Sequence, residues 1–159
     1  VDMAGVWITT SYVDNLIGST QRSALASTDT VFDQFEFAAR AMVSSCLLAN
    51  GYTTVDDSVA LPTGTTATAY LQNLTAGWWC RSAYANRKGI TLPQVAQDAI
   101  AVLNAMMADA RNGTSLAPPV PGLSRSTSDG LGGTLFPPTS GGGLTARPQM
   151  FSRDKLRTF

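Results

Sequence analysis

Three stretches of the chain place apolar residues at alternating steps of three and four, a spacing that suits a helix and excludes a strand. From near Thr30 to Ala49 the stripe is Phe32, Phe35, Ala39, Met42, Cys46 and Ala49. From about Thr66 to Arg87 it is Leu71, Leu74, Trp78 and Ala85. A third stripe joins Val95, Ala99, Val102, Met106 and Ala110, widened by Ala96, Leu103 and Met107. Each set falls on one face of a helix and must be buried against another. No period-two alternation and no internal repeat competes, so the expected fold is all-α, a small helical bundle.

The ends of these helices are written in turn chemistry. Thr9 or Thr10 can cap a short helix with Val13, Leu16 and Ile17 on one face, and Gly18 is placed to stop it. A second short helical turn is expected over Gln21 to Ala26. Thr30 with Asp33 resembles a capping box for the first long helix, and Asn50-Gly51 ends it. Gly89 stops the second long helix. Thr91-Leu92-Pro93-Gln94 reads as a capping box with proline in the first turn, and Asn112-Gly113 closes the third. The expectation is three long helices preceded by a short N-terminal pair.

After Arg111 the polymer changes. Residues 1–111 hold 57 apolar residues and 112–159 hold 13; in the later part Gly, Pro, Ser and Thr supply 26 of 48 positions. Such a stretch buries too little surface to offset its ordering entropy. The division is therefore a helical body over 1–111, a Gly/Pro/Ser/Thr-rich linker over 112–145 and a basic, aromatic-ended segment over 146–159, the last two forming a long extended C-terminal arm. Charge divides at the same place: 6 basic against 9 acidic residues before the break and 5 against 2 after it, so the overall balance of 11 and 11 is a sum of opposites.

That balance, with no clustered excess of Lys and Arg in the body, argues against gripping a phosphate backbone. The chain has no histidine, which removes the Ser-His and Cys-His relays and the commonest metal ligand. Cys46 and Cys80 sit in apolar stretches and read as core residues rather than a disulfide scaffold or zinc site. The serines lack a Gly-x-Ser-x-Gly elbow. Glu36, the only glutamate, is expected at a solvated or interface position, and Asp56-Asp57 reads as turn chemistry. A Ser-Lys or carboxylate pair built on Ser152 or Glu36 is the remaining enzymatic route, and the chain is read as non-enzymatic, with no cofactor and no metal.

The glycine runs at 130–133 and 141–143 follow no strand, precede no helix and carry no P-loop lysine, so they read as linker. No segment approaches about 18 uninterrupted apolar residues, and the first residues lack a basic start and apolar run. A soluble chain made in a reducing cytosol, without a membrane partner, is expected, and the sequons at Asn73 and Asn112 then carry no weight. Trp79, turned about 100° from the stripe residue Trp78, is expected either at the core rim or as a subunit-contact anchor.

The last nine residues alternate apolar anchors with basic groups: Phe151, Arg153, Lys155, Leu156 and Phe159. If helical, Phe151, Lys155 and Phe159 align at four-residue steps; if extended, the two phenylalanines share a face. Either way the segment reads as a docking peptide.

The opening Ile8-Thr9-Thr10-Ser11-Tyr12-Val13 before Asn15-Leu16-Ile17-Gly18, the long helix leading into a cap-and-proline helix, and the ending Arg147-Pro148-Gln149-Met150-Phe151-Ser152-Arg153-Asp154-Lys155-Leu156 together resemble the head-tail adaptor (head completion, connector) proteins of tailed bacteriophages. The likeness runs the whole length and is strongest to the Mu-like branch, whose C-termini often carry Phe-Ser/Thr-Arg-Asp-x-Leu. The chain departs from that branch in its Gly/Pro/Ser insertion at 119–145 and its Ala/Thr-rich loop at 53–69. The resemblance implies a structural protein of the virion neck, assembled in the host cytoplasm: a cyclic oligomer, usually a dodecamer. That ring would dock under the portal protein and join a stopper or tail-proximal protein below, with DNA passing through its lumen unbound. It also implies that Phe151, Arg153, Lys155, Leu156 and Phe159 make the portal contacts. Phe37, Tyr70 and Trp79, lying off or beside the core stripes, are the expected subunit-interface residues. The competing reading is a cytosolic regulatory or chaperone-like helical protein that captures one partner through its arm.

Overall fold

The structure, a computed structural model, describes residues 6–52, 56–85 and 87–125. Among them are five helices and no strand: α1 (Thr10–Ile17), α2 (Ser19–Leu25), α3 (Asp29–Ala49), α4 (Thr66–Tyr84) and α5 (Gln94–Asn112). The described residues are all-α, with three long helices after a short pair.

The caps explain most of the boundaries. Thr9 Oγ1 accepts the Tyr12 N–H at 3.3 Å to open α1, and Gly18, at φ 86°, ends it and begins α2. For α3 the cap is Thr28, which accepts from the Val31 N–H at 3.3 Å, rather than Thr30. The earlier start brings Val31 and Phe32 fully into the helix and puts Asp29 in the first turn, where it complements the helix dipole. Thr65 caps α4 through the Thr68 N–H at 3.1 Å. The capping box expected at Thr91 and Gln94 does not form. Pro93, extended at ψ 147°, is itself the N-cap of α5, which leaves Thr91 two residues too early. Gln97 Nε2 instead donates to the Leu92 carbonyl at 2.7 Å, and Gln94 Nε2 to Asp98 Oδ1 at 2.7 Å. Gly113, left-handed at φ 64°, closes α5.

Helix α4 is the central element: it packs extensively against both α5 and α3, which meet each other less. Its buried positions accordingly run almost all the way round, from Leu71, Leu74 and Thr75 through Gly77 and Trp79 to Tyr84. One core cluster gathers Val43, Leu47, Leu71, Leu74, Leu103 and Met106; the other joins Ile8, Val13 and Ala26 to Phe32, Trp79 and Ala96. Cys46 and Cys80 are free and buried, as their apolar surroundings imply, and burial pushes the Cys80 thiol up to about 11.

Two expectations need correction. The body does not stop at Arg111. Ala117 and Val120 are buried in the first core cluster, and the Val120 N–H donates to the Tyr52 hydroxyl at 2.8 Å. Tyr52 and Arg125 form an isolated antiparallel bridge, with the Arg125 guanidinium 4.9 Å from the Tyr52 ring centroid. Composition missed this segment because two small apolar side chains suffice once its backbone donors find acceptors. Asp109 supplies them. It accepts from the Thr114 hydroxyl at 2.6 Å, the Leu116 N–H at 3.0 Å and the Ala117 N–H at 2.7 Å.

Glu36 is the second correction. It is buried, not solvated or at an interface, and its Oε1 accepts the Trp7 N–H at 2.8 Å while Oε2 lies 3.6 Å from Arg40 Nη2. The carboxylate pins the N-terminal segment to α3, since an unmet backbone N–H there would be costly.

Candidate functional site

Two surfaces of the body have the form of interaction sites. The first is the outer side of α3. Phe37 and Leu48, eleven residues apart and therefore about 20° apart around the helix, are 63% and 59% exposed. They are about 16 Å apart along the axis, so each is a separate apolar side chain from which a partner would gain burial. Beside Phe37, the Arg40 guanidinium lies 5.4 Å from the ring centroid. Arg40 is itself buried, and its Nε and Nη1 have no hydrogen-bond partner among the described residues. Those two nitrogens are shielded from solvent, so the group that faces outward here is the Phe37 ring.

The second surface is a cleft of roughly 520 Å³ where the loop before α4, the first turns of α4 and the segment after α5 meet. Its walls are Val59, Leu61, Ala67, Leu71 and Leu123, and Asp56 stands on its lip. The loop is held in place by several bonds. Trp7 Nε1 donates to the Val59 carbonyl at 3.0 Å, and the Thr68 hydroxyl donates to the Pro62 carbonyl. Gly122, at φ 77°, lets the later segment close the cleft: a Cβ there would meet the Ala67 Cβ at 3.1 Å. Asp56 makes the turn read from its sequence, accepting the Ser58 N–H at 2.8 Å and the Ser58 hydroxyl at 2.6 Å. Those bonds hold its carboxyl below the usual aspartate range.

The expected interface residues separate. Phe37 is exposed. Tyr70 is half-buried beside a shallower groove of roughly 240 Å³ between α4 and α5, lined also by Asn73, Val95, Asp98 and Val102. Burial raises its phenol pKa. Trp79 is not a subunit contact. It is 0% exposed, its Nε1 donates to the Phe32 carbonyl at 3.3 Å, and its ring packs at 5.3 Å from Phe32 and edge-on at 5.9 Å from Phe35. Trp78, expected on the core stripe, is the half-exposed member of the pair, with Arg81 stacked 4.4 Å over it. The exchange follows from the central place of α4, whose two packed sides leave no single stripe to read. Phe151, Arg153, Lys155, Leu156 and Phe159 lie outside the described residues.

Neither surface has a signature of bond-making chemistry. No group of three or more His, Cys, Asp or Glu side chains capable of holding a metal occurs among the described residues. Glu36 is committed to Trp7 and Arg40. No described helix is long and apolar enough to cross a membrane. Sequence reasoning missed the cleft and Asp109. The signal for Asp109 was an acidic residue in the last turn of a helix, where it opposes the dipole and needs another reason to be there. The cleft had no such signal, because its walls come from segments about 55 residues apart. The chain matches no protein-family model, no curated protein and no solved structure.

Proposed function

We propose that the protein is a non-enzymatic structural component of a bacteriophage neck, a head-tail adaptor. Its helical bodies form a ring between the portal and the stopper or tail-proximal protein. The observation that carries this reading is the outer side of α3, where the large apolar side chains of Phe37 and Leu48 are left exposed. A neighbouring copy that covers Phe37 and Leu48 removes both from water in one contact. If the patch it meets on that neighbour differs from itself, the contact is heterologous, and it gives a ring where the rotation between copies closes and an open filament where it does not.

The charge distribution supports the same reading. A body with 6 basic and 9 acidic residues over 1–111 does not grip a passing duplex, which is what a conduit requires. The basic segment 146–159 is the portal-docking element in this reading, with Phe151, Leu156 and Phe159 as anchors and Arg153 and Lys155 as charge partners. Presented many times by a ring, a weak peptide contact becomes strong attachment.

The experiment is deletion of 146–159 in the assembling particle. The body keeps its helical circular dichroism and cooperative melt, while filled heads accumulate without tails. Normal tailed particles from the deletion overturn the reading.

A further inference from the structure

We propose that the cleft at the start of α4 is a docking site for the chain's own C-terminal segment, 151–159. A phenylalanine side chain enters between Leu61, Leu71 and Leu123, and the basic residues meet Asp56 on the lip. The inference concerns the chain by itself and stands whether or not the adaptor reading does.

The cleft suits an aromatic anchor. At roughly 520 Å³ it has room for a large side chain and part of its backbone, and its inner walls, from Val59 and Leu61 to Leu71 and Leu123, are aliphatic. Its polar lining is the threonines Thr65, Thr66 and Thr68 and one charged group, Asp56, which is exposed and kept ionised by Ser58. The segment has the complementary order. Phe151 and Phe159 bracket Arg153, Lys155 and Arg157, opposed only by Asp154. A mainly aliphatic hole with one acidic group beside it favours such a peptide, because the charges steer it and fix its register while the ring supplies the burial.

Connectivity selects this occupant over others. Leu123, in the cleft wall, is only two residues before the bridge at Arg125, so the chain leaves the body beside the opening. From there 25 residues, 126–150, lead to Phe151, a length that reaches up to about 80 Å if extended and so imposes no limit. Positions 130–145 carry no charge, so the basic residues of the arm beyond Asp129 are concentrated at its end, which is where an acidic lip can use them. The tether makes capture intramolecular, and a contact too weak to hold a free peptide is still populated.

The test uses the full-length chain with Ser152→Cys carrying a nitroxide. Cys46 and Cys80 are buried and do not compete for the label. Methyl resonances of Val59, Leu61, Leu71 and Leu123 are compared with those of Val95 and Val102 on the α4–α5 groove, against a reduced, diamagnetic control. Selective broadening of the first set, unchanged on tenfold dilution, is the expected result. Changing Phe151→Ser and Phe159→Ser together restores the intensities. Asp56→Asn, which keeps the oxygen that accepts from Ser58, weakens capture roughly twofold to fivefold. Uniform broadening, or none, overturns the proposal. So does broadening that appears only when labelled and unlabelled chains are mixed and disappears on dilution, since that outcome assigns the cleft to a second copy.

Discussion

Gly77 of α4 lies against Ala99 of α5 so closely that a Cβ built on it would collide with the Ala99 Cβ and stand 3.4 Å from the Ala96 carbonyl oxygen. A glycine inside a helix costs about 1 kcal/mol relative to alanine, and the cost is met here because the two backbones can approach. Gly77→Ala therefore destabilises despite its better helix propensity. The expected loss is about 1–3 kcal/mol, seen as a fall in Tm of roughly 5–15 °C. Ala99→Gly in the same chain recovers part of it by returning the space. A Gly77→Ala protein melting at or above the parent temperature contradicts the close packing of α4 on α5.

Asp109 decides whether residues 114–125 belong to the body. Burial by itself would raise its carboxyl, but the hydrogen bonds from Thr114, Ala117 and Leu116, with Arg125 nearby, outweigh that and hold it below the usual aspartate value. Its folded pKa is thus below the unfolded one. The stabilisation it provides is complete above about pH 4 and is lost as pH falls through the folded value. Asp109→Ala should cost about 2–3 kcal/mol at neutral pH and flatten the acid limb of the stability curve below pH 4. Amide exchange at Leu116 and Ala117 should rise in step with it.

Glu36 bends the pH curve the other way. Its carboxyl is raised above the ordinary value of 4.5 by burial, with the Trp7 amide, Arg40 and the Ile8 amide pulling it back without cancelling the rise. The folded state then binds the proton more tightly than the unfolded one, so stability declines as pH rises from the unfolded toward the folded value. Glu36→Gln keeps an oxygen for the Trp7 N–H and removes that slope. Urea unfolding between pH 4 and 7 measures it, and an unchanged slope in the Gln variant shows that the titrating group is another one.

Trp79 and Phe37 give a contrast that separates core from contact. Trp79→Ala opens a cavity between α3 and α4 and should cost about 3–5 kcal/mol, enough to unfold much of the population. Phe37→Ser leaves a monomer within about 0.5 kcal/mol of the parent and acts only on association. Equal destabilisation by the two substitutions would place Phe37 in the core and remove the α3 contact.

The parts of this fold that are legible in the sequence are those fixed by local chemistry. Gly18, the Asn50 turn and Gly113 end their helices where turn propensity puts them, and α3 and α5 reach Ala49 and Asn112 as their spacing requires. Orientation is less legible. On α3 Phe32, Ala39 and Cys46 of the expected stripe are buried, joined by Val43, Ser44 and Leu47 with Glu36 and Arg40 among them, whereas Phe35 and Met42 are only half-buried and Ala49 is exposed. A buried ion pair occupies face positions that hydrophobicity assigns to the surface. On α4 the Trp78–Trp79 order is inverted because a helix packed on two sides has no single polar face. On α5 the seam is rotated toward Ala96, Ala99, Leu103 and Met106, leaving Val95 exposed. The segment from Thr114 to Arg125 was hidden because its attachment runs through polar atoms of Asp109 and Tyr52. The cleft was hidden because it is a tertiary product of that attachment.

A ring of helical bodies held by the outer side of α3 has a mass that sets it apart from a single chain. Native mass measurement of the full-length protein, alone and with the purified portal ring of the same particle, should find a closed oligomer, with the portal present at the least, and Phe37→Ser should reduce it to single chains. A monomer or dimer under both conditions, with Phe37→Ser indistinguishable from the parent, would rule out the ring and favour a helical protein that binds one partner through its arm.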